Sequence, residues 1–262
     1  MAGFVRSLRE LVSFRDLFLN LIVIELKLRY RNSFLGFLWQ VINPLFYLLI
    51  LSLVFSRIIR FNIENYTIYL FAGLASWLMI QQSTVVATAS IVNNQGLIRK
   101  IYLPKMIFPL SVLTAQYIDH LILVVILLFF ALGFGIHFNG SLVLLPLILL
   151  VHYLFSLGLA LIFSTAQVKV RDVQHIVAII FQALFYATPI IYSLNFLPEK
   201  LRPFMFFNPF YYFVEGLRYP IYYVSLPPIH ILMAIIGLTL FSLLLGLIIF
   251  NRKEKYFVFY LS

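Results

Sequence analysis

The 262 residues include no cysteine, which excludes disulfides, thiolate metal sites and cysteine nucleophiles. Charge is scarce as well. Asp, Glu, Lys and Arg fill 11% of positions, against about 25% in an ordinary soluble domain. So little polar side chain cannot cover a soluble fold of this length. None of the 11 glycines is followed by lysine. The Gly-Lys-Ser/Thr end of a P-loop, whose amides and lysine cradle phosphates, is therefore missing, and no ATPase is expected in this chain. No polar catalytic cluster converges either, and neither a metal nor a cofactor is expected to bind the chain itself.

What is abundant is apolar surface. Hydrophobic residues make up 63% and aromatics 18% of the chain, and the mean hydropathy is +1.02. A membrane span needs roughly 20 mostly apolar residues, and six runs qualify: Phe34 to Phe55, Tyr66 to Val92, Met106 to Ile136, Leu142 to Ala166, His175 to Leu194 and Ile229 to Phe250. The runs are continuous, whereas barrel strands alternate over about ten residues. The expectation is an all-α integral membrane protein with six transmembrane helices. Its expected parts are a cytoplasmic segment 1–33, a membrane domain 34–250 and a cytoplasmic tail 251–262.

Basic residues set the orientation. With six spans both termini share a side. That side would carry Arg6, Arg9, Arg15, Lys27, Arg29 and Arg31, then Arg99, Lys100 and Lys105, then Lys169 and Arg171, and finally Arg252, Lys253 and Lys255. The opposite side would carry only Arg57, Arg60, Lys200, Arg202 and Arg218. Both termini are expected in the cytoplasm. The net charge of +10 reads as topology and contact with anionic membrane lipid. The basic residues are dispersed among interfaces, so nucleic acid is not an expected partner. Charges throughout the first 33 residues argue against a cleavable signal peptide.

Three segments lie outside the runs. Leu17 to Arg31 pairs Glu25 with Arg29 and Lys27 with Arg31 at helical i,i+4 spacing, among Phe18, Leu21, Ile22, Leu26 and Leu28. It reads as an interfacial amphipathic helix; alternation over 25–31 also fits a strand. Asn93 to Lys105 mixes Arg99 and Lys100 with Leu97, Ile98, Ile101 and Tyr102 and ends near Pro104. It reads either as a plain basic loop or as a short helix that docks in a partner's groove. Asn195 to Pro228 is rich in Phe, Tyr and Pro. Proline breaks helices, so short helical pieces are expected there, re-entrant or interfacial, with aromatic faces suited to stacking on sugar rings.

Few ionisable groups fall inside the runs. Asp119 and His120 are adjacent in the third, and His152 lies in the fourth. Such groups are functional candidates by position, and structural hydrogen bonding is the competing reading. The first three runs do not echo the last three, which argues against an inverted-repeat carrier.

Four stretches carry a likeness to a known family. They are Leu26 to Trp39 leading into Asn43-Pro44-Leu45, then Lys169-Val170-Arg171-Asp172-Val173, then Thr188-Pro189-Ile190-Ile191-Tyr192, and last Asn208-Pro209-Phe210 with Glu215-Gly216-Leu217-Arg218. In this order they resemble polysaccharide-exporting ABC-2 permeases, most closely the O-antigen (Wzm-type) exporters. Capsule and teichoic acid exporters share most of these features.

The resemblance implies a non-catalytic half-transporter in the bacterial cytoplasmic membrane. Two copies would form the pathway, and two copies of a separate ABC ATPase, holding ATP and Mg, would bind below. The cargo implied is a glycan on undecaprenyl pyrophosphate. Leu97, Ile98, Arg99, Lys100, Ile101, Tyr102 and Pro104 match the ATPase-coupling helix. Glu25, Lys27, Arg29 and Arg31 match an interfacial gate helix, where an arginine suits the pyrophosphate. Asn208, Pro209, Tyr211, Tyr212, Phe213, Glu215 and Arg218 match the external mouth. Trp39, Phe46, Tyr47, Trp77, Phe185, Tyr186 and Tyr192 are the candidate walls of the glycan path. The rival classes are an ion-coupled carrier or flippase relying on Asp119, and a membrane-embedded transferase. The charge bias gives a direct test of topology. Impermeant thiol labels on cysteines placed at Glu199 and Ser262 should react from opposite faces of the membrane, and reaction from one face would refute six spans.

Overall fold

The computed structural model describes residues 13–30, 34–36, 38–55 and 63–261. Arg31, Arg57 and Arg60 lie outside the described residues. Among the described residues all regular structure is helical. The helices are α1 (Arg15–Tyr30), α2 (Leu38–Leu53), α3 (Tyr66–Thr88), α4 (Ser90–Asn93), α5 (Gln95–Lys100) and α6 (Ile107–Gly133), then α7 (Leu145–Lys169), α8 (Val173–Ala187), α9 (Arg202–Met205), α10 (Pro209–Ile221), α11 (Ile229–Lys253) and α12 (Phe257–Leu261).

Among the described residues, four segments are long and apolar enough to cross a membrane: Tyr66–Thr88, Ile107–Gly133, Gly140–Lys169 and Ile229–Tyr260. The first and fifth apolar runs behave differently. α2 is helical for 16 residues with Pro44 inside it. α8 is helical for 15 residues, a rise of only about 22 Å against a hydrocarbon core of about 30 Å. The expected helix to Leu194 therefore stops at Ala187. Thr188 turns extended, as the residue before a proline prefers, and Pro189 cannot donate to the ladder.

The buried fraction orders the bundle. In the most apolar stretch of α3, 72% of residues are buried, against 28% for the last spanning segment. α3 is thus the central post, packed on α2, α6, α7, α8 and α10, and α11 is an outer helix held mainly by α7. No water exists at this depth to satisfy polar groups, so buried side chains find each other. The Ser76 hydroxyl and His152 Nε2 are 2.9 Å apart between α3 and α7. The Thr114 and Tyr153 hydroxyls are 2.9 Å apart between α6 and α7.

The α7–α11 crossing is built on small residues. Lipid chains are as apolar as leucine, so spanning helices associate through close packing and hydrogen bonds. The Ser242 hydroxyl donates to Phe155 O at 2.9 Å and that of Thr239 to Val151 O at 3.3 Å. A Cβ on Gly246 would lie 2.4 Å from Gly158 O, whereas one on Gly237 would meet nothing within 4 Å. Replacing Gly246 by Leu should therefore separate the helices and cost at least about 1–3 kcal/mol. Gly237→Ala should stay within about 0.5 kcal/mol of the parent. Thermal melting followed by size-exclusion chromatography in detergent compares the two.

Candidate functional site

Between the end of α8 and α10 the backbone leaves the helix, and its carbonyls need partners. Four successive carbonyls find them in side chains. Pro189 O and Ile190 O accept from Arg218 at 2.8 and 2.6 Å. Ile191 O accepts from the Tyr66 hydroxyl at 2.9 Å, and Tyr192 O from that of Tyr69 at 3.0 Å. Arg218 is fully buried. It also donates to Tyr69 O at 3.3 Å and to Glu215 Oε1 at 2.7 Å, and its guanidinium carbon lies 3.7 Å from the centre of the Tyr69 ring. Burial works against its charge, but Tyr69 and the Glu215 carboxylate together outweigh that and raise its pKa. A Cβ on Gly73 would fall 2.5 Å from the guanidinium, so only glycine leaves room for it on α3.

The same segment is tied at its other end by Asn208. Its carbonyl oxygen caps α10 by accepting from Phe210 N at 3.0 Å, the usual N-cap bond. Its amide donates to Thr188 Oγ1 at 2.9 Å and Ala187 O at 3.2 Å. Pro209 occupies the first turn of α10, where a missing N–H costs nothing. These contacts account for Asn208-Pro209 and Thr188-Pro189 as a matched pair.

The candidate mouth residues divide between two surroundings. Tyr211, Phe213, Glu215 and Arg218 are buried. Phe213 stacks on Phe155 of α7 at 4.3 Å, and Phe210 meets Trp77 at 5.3 Å. Tyr212 is half-buried and donates to Phe206 O. Phe204, Phe206 and Phe207 are exposed, as are Phe196 and Tyr223; sequence reasoning placed these rings in the segment but did not single them out. Their Pro-rich flanks, with no helical period to bury them, were the available signal.

The candidate wall residues divide in the same way. Trp77 and Phe185 are buried with ring centres 5.8 Å apart. Tyr192 is half-buried. Trp39, Phe46 and Tyr47 on α2 and Tyr186 on α8 are exposed, and Tyr47 lies 6.4 Å from Phe185 across the two helices. Asn43 on α2, Gln82 on α3 and Gln182 on α8 are also exposed. Beside them a cavity of about 250 Å³ is lined by Asn43, Pro44, Tyr47, Gln82, Asp119 and His120, with Leu78 and Leu123. His120 Nδ1 lies 2.6 Å from Gln116 O. The outward face of α2 and α8 thus combines rings, amides and a polar recess.

At the opposite end, residues 95–100 form a helix rather than a plain loop. Ile98 and Pro104 are buried and Leu97 is half-buried, so these hold α5 to the bundle. Arg99, Lys100, Ile101 and Tyr102 face out, with Tyr102 72% exposed. α12 packs against α5, and Lys105 N donates to Glu254 Oε1 at 3.0 Å. α1 is helical to Tyr30, which removes the strand alternative over 25–30. It packs on α6, leaving Lys27 exposed and Glu25 half-buried; Arg29 falls in its last turn. Among the described residues no three His, Asp or Glu side chains gather to hold a metal.

Residues 16–222 match the family model described as ABC-2 type transporter. The chain belongs to the ABC-2 transporter family. The permease is 31% identical over 255 residues to the O-antigen export system permease protein RfbA of Myxococcus xanthus, covering 97% of this chain and 98% of that one. It is 33% identical over 186 residues to an O-antigen export system permease protein RfbA of Klebsiella pneumoniae, covering 71% and 72%. It is 23% identical over 240 residues to the polysialic acid transport protein KpsM of Escherichia coli, covering 88% and 91%. The matched region takes in α1, the exposed α5 and the Arg218 assembly.

Removing one partner of a buried charge pair costs about 3–5 kcal/mol. Arg218→Met in the permease should therefore lower the apparent melting temperature in detergent by on the order of 10 °C. Glu215→Gln keeps an acceptor but leaves the fully buried guanidinium without its counter-charge, and should lower the melting temperature by a comparable amount in the same assay.

Proposed function

We propose that this chain is the membrane permease of an ABC exporter that moves a lipid-linked, O-antigen-like polysaccharide out across the bacterial cytoplasmic membrane. The observation that carries this reading is the likeness to the O-antigen export permease of Myxococcus xanthus over nearly the full length of both chains. ATP and Mg belong to a separate ATPase, of which two copies serve two copies of the permease. The weaker likeness to KpsM keeps a capsular polymer as the second reading of the cargo.

In this reading the membrane is crossed six times and both termini are cytoplasmic. α2 and α8 are the two short crossings, with 188–192 completing the latter and α9–α10 forming the re-entrant external piece. Residues 34–250 make the membrane domain, flanked by the 1–33 and 251–262 segments. Polar groups facing lipid are costly. The exposed Asn43, Gln82 and Gln182 therefore favour the α2–α8 face as the side turned to the second copy and the pathway.

The path wall is then Trp39, Phe46, Tyr47 and Tyr186, with Tyr192 above and the Asp119–His120 recess beside it. Trp77 and Phe185 back that wall from inside the bundle. Rings offer a sliding glycan weak, repeated contacts, and amides offer its hydroxyls hydrogen bonds. Phe204, Phe206 and Phe207 are among the exposed rings at the mouth, while Asn208, Pro209, Tyr211, Tyr212, Phe213, Glu215 and Arg218 hold that mouth in shape. α1, with Glu25, Lys27 and Arg29, is the gate helix beside the lipid pyrophosphate, and Arg31 follows it in the sequence.

ATP-driven movement reaches the permease through α5. Ile98 and Leu97 anchor the helix from above, and Ile101 and Tyr102 offer an apolar grip flanked by Arg99 and Lys100. Buried apolar anchors hold a complex, whereas rim charges mostly tune association. Ile101→Asp should abolish co-purification of the ATPase or uncouple its hydrolysis from export. Arg99→Ala should lower either by only a few-fold. Pull-down of the ATPase, with surface polysaccharide measured in the same cells, tests both. Wild-type binding and export by Ile101→Asp would move the coupling role to Lys169, Arg171 and Asp172.

A further inference from the structure

α7 and α11 touch at Gly158 and Gly246, then end at Lys169 and Lys253. Beyond the crossing a cavity of about 380 Å³ lies between their last turns. Ile162 and Ala166 of α7, Ile249 of α11 and Phe257 of α12 line its apolar part, and Lys169 and Lys253 line it too. Among the described residues no acidic side chain lines it. Glu254, the carboxylate next in sequence, is turned to Lys105 N instead.

We infer that this groove binds an acidic phospholipid of the cytoplasmic leaflet, one acyl chain in the apolar part and the phosphate between Lys169 and Lys253. Two features select that occupant. The groove continues a lipid-facing ridge: Phe241, Leu244 and Ile248 on α11 are all exposed, so an acyl chain reaches it sideways from the bilayer. It then ends in two cations from different helices. Basic pockets at the cytoplasmic ends of spanning helices suit anionic head groups, each lysine adding attraction near the surface. A second copy of the chain is a poorer fit, because the outward amides Asn43, Gln82 and Gln182 lie on α2, α3 and α8, not here.

The site has a mechanical consequence. α12 closes the groove through Phe257 and Tyr260 and also packs against α5. A lipid seated there braces α12 beneath the helix that offers Ile101 and Tyr102. The permease should therefore hold its ATPase more firmly in acidic lipid than in zwitterionic lipid.

The test uses the full-length permease purified in detergent, with phosphatidylglycerol and phosphatidylcholine of identical acyl chains as probes and native mass spectrometry as the readout. Wild type should retain phosphatidylglycerol on the order of tenfold better. Lys169→Gln with Lys253→Gln removes the charges and should abolish the preference. Ala166→Trp fills the groove, leaves every charge in place, and should abolish retention as well. That variant separates a built site from general attraction to a basic surface. Equal retention of the two lipids by wild type, or wild-type preference in either variant, would overturn the site. If a variant does not yield monodisperse protein, the wild-type comparison decides by itself.

Discussion

The permease is organised around a shortage of hydrogen bonds. α8 stops where Thr188-Pro189 stops it, and the carbonyls of residues 189–192 are left in a region where water cannot be relied on. Arg218, Tyr66 and Tyr69 supply the donors. To do so Arg218 must be buried, which requires Glu215 to balance it and Gly73 to make room. α10 must then dip into the bundle to bring Arg218 there, and its Phe210 and Phe213 pack on Trp77 and Phe155. One broken helix thus fixes the position of α3, α8 and α10 together.

The two ends of the molecule contrast in how they are held. The α10 end is fastened by a buried ion pair, a capped helix and stacked rings, all internal to one chain. The α5 end keeps its apolar and basic side chains outward and rests on α12. One end is thus closed by contacts within the chain, whereas the other keeps its side chains outward.

The apolar runs and the helical class were legible in the sequence, because composition and run length act locally. The early end of α8 was legible in principle from Pro189, but a run of apolar residues through Leu194 masked it. The segment 195–228 was recognisable as short helices from its prolines. What could not be read was which ring faces which way. Phe213 and Phe207 look alike in sequence, yet one is buried against Phe155 and the other is 85% exposed. The difference lies in the packing of α10 on α3 and α7, which no local pattern encodes. Likewise Arg218 suggested an exposed external charge until its partners, 149 residues away on α3 and 28 away after α8, were in place. In α5, helical spacing allowed Ile98 and Ile101 equal roles; contact with the bundle separates them.

That long separation carries a consequence for biogenesis. Tyr69 and Gly73 leave the ribosome well before Arg218 does. At about 5–20 residues per second, the 149 residues between Tyr69 and Arg218 take roughly 7–30 s to synthesise. During that time α3 must sit in the membrane with its notch empty, and later the chain after α8 must wait with the carbonyls of Pro189 and Ile190 unsatisfied. The nascent permease is therefore at its most vulnerable just before α10 arrives, when an insertase or a membrane protease would find an open notch on α3 and a frayed end on α8. Arrival of Arg218 closes both at once, and so serves as the chain's own signal that the α3–α8–α10 assembly is complete.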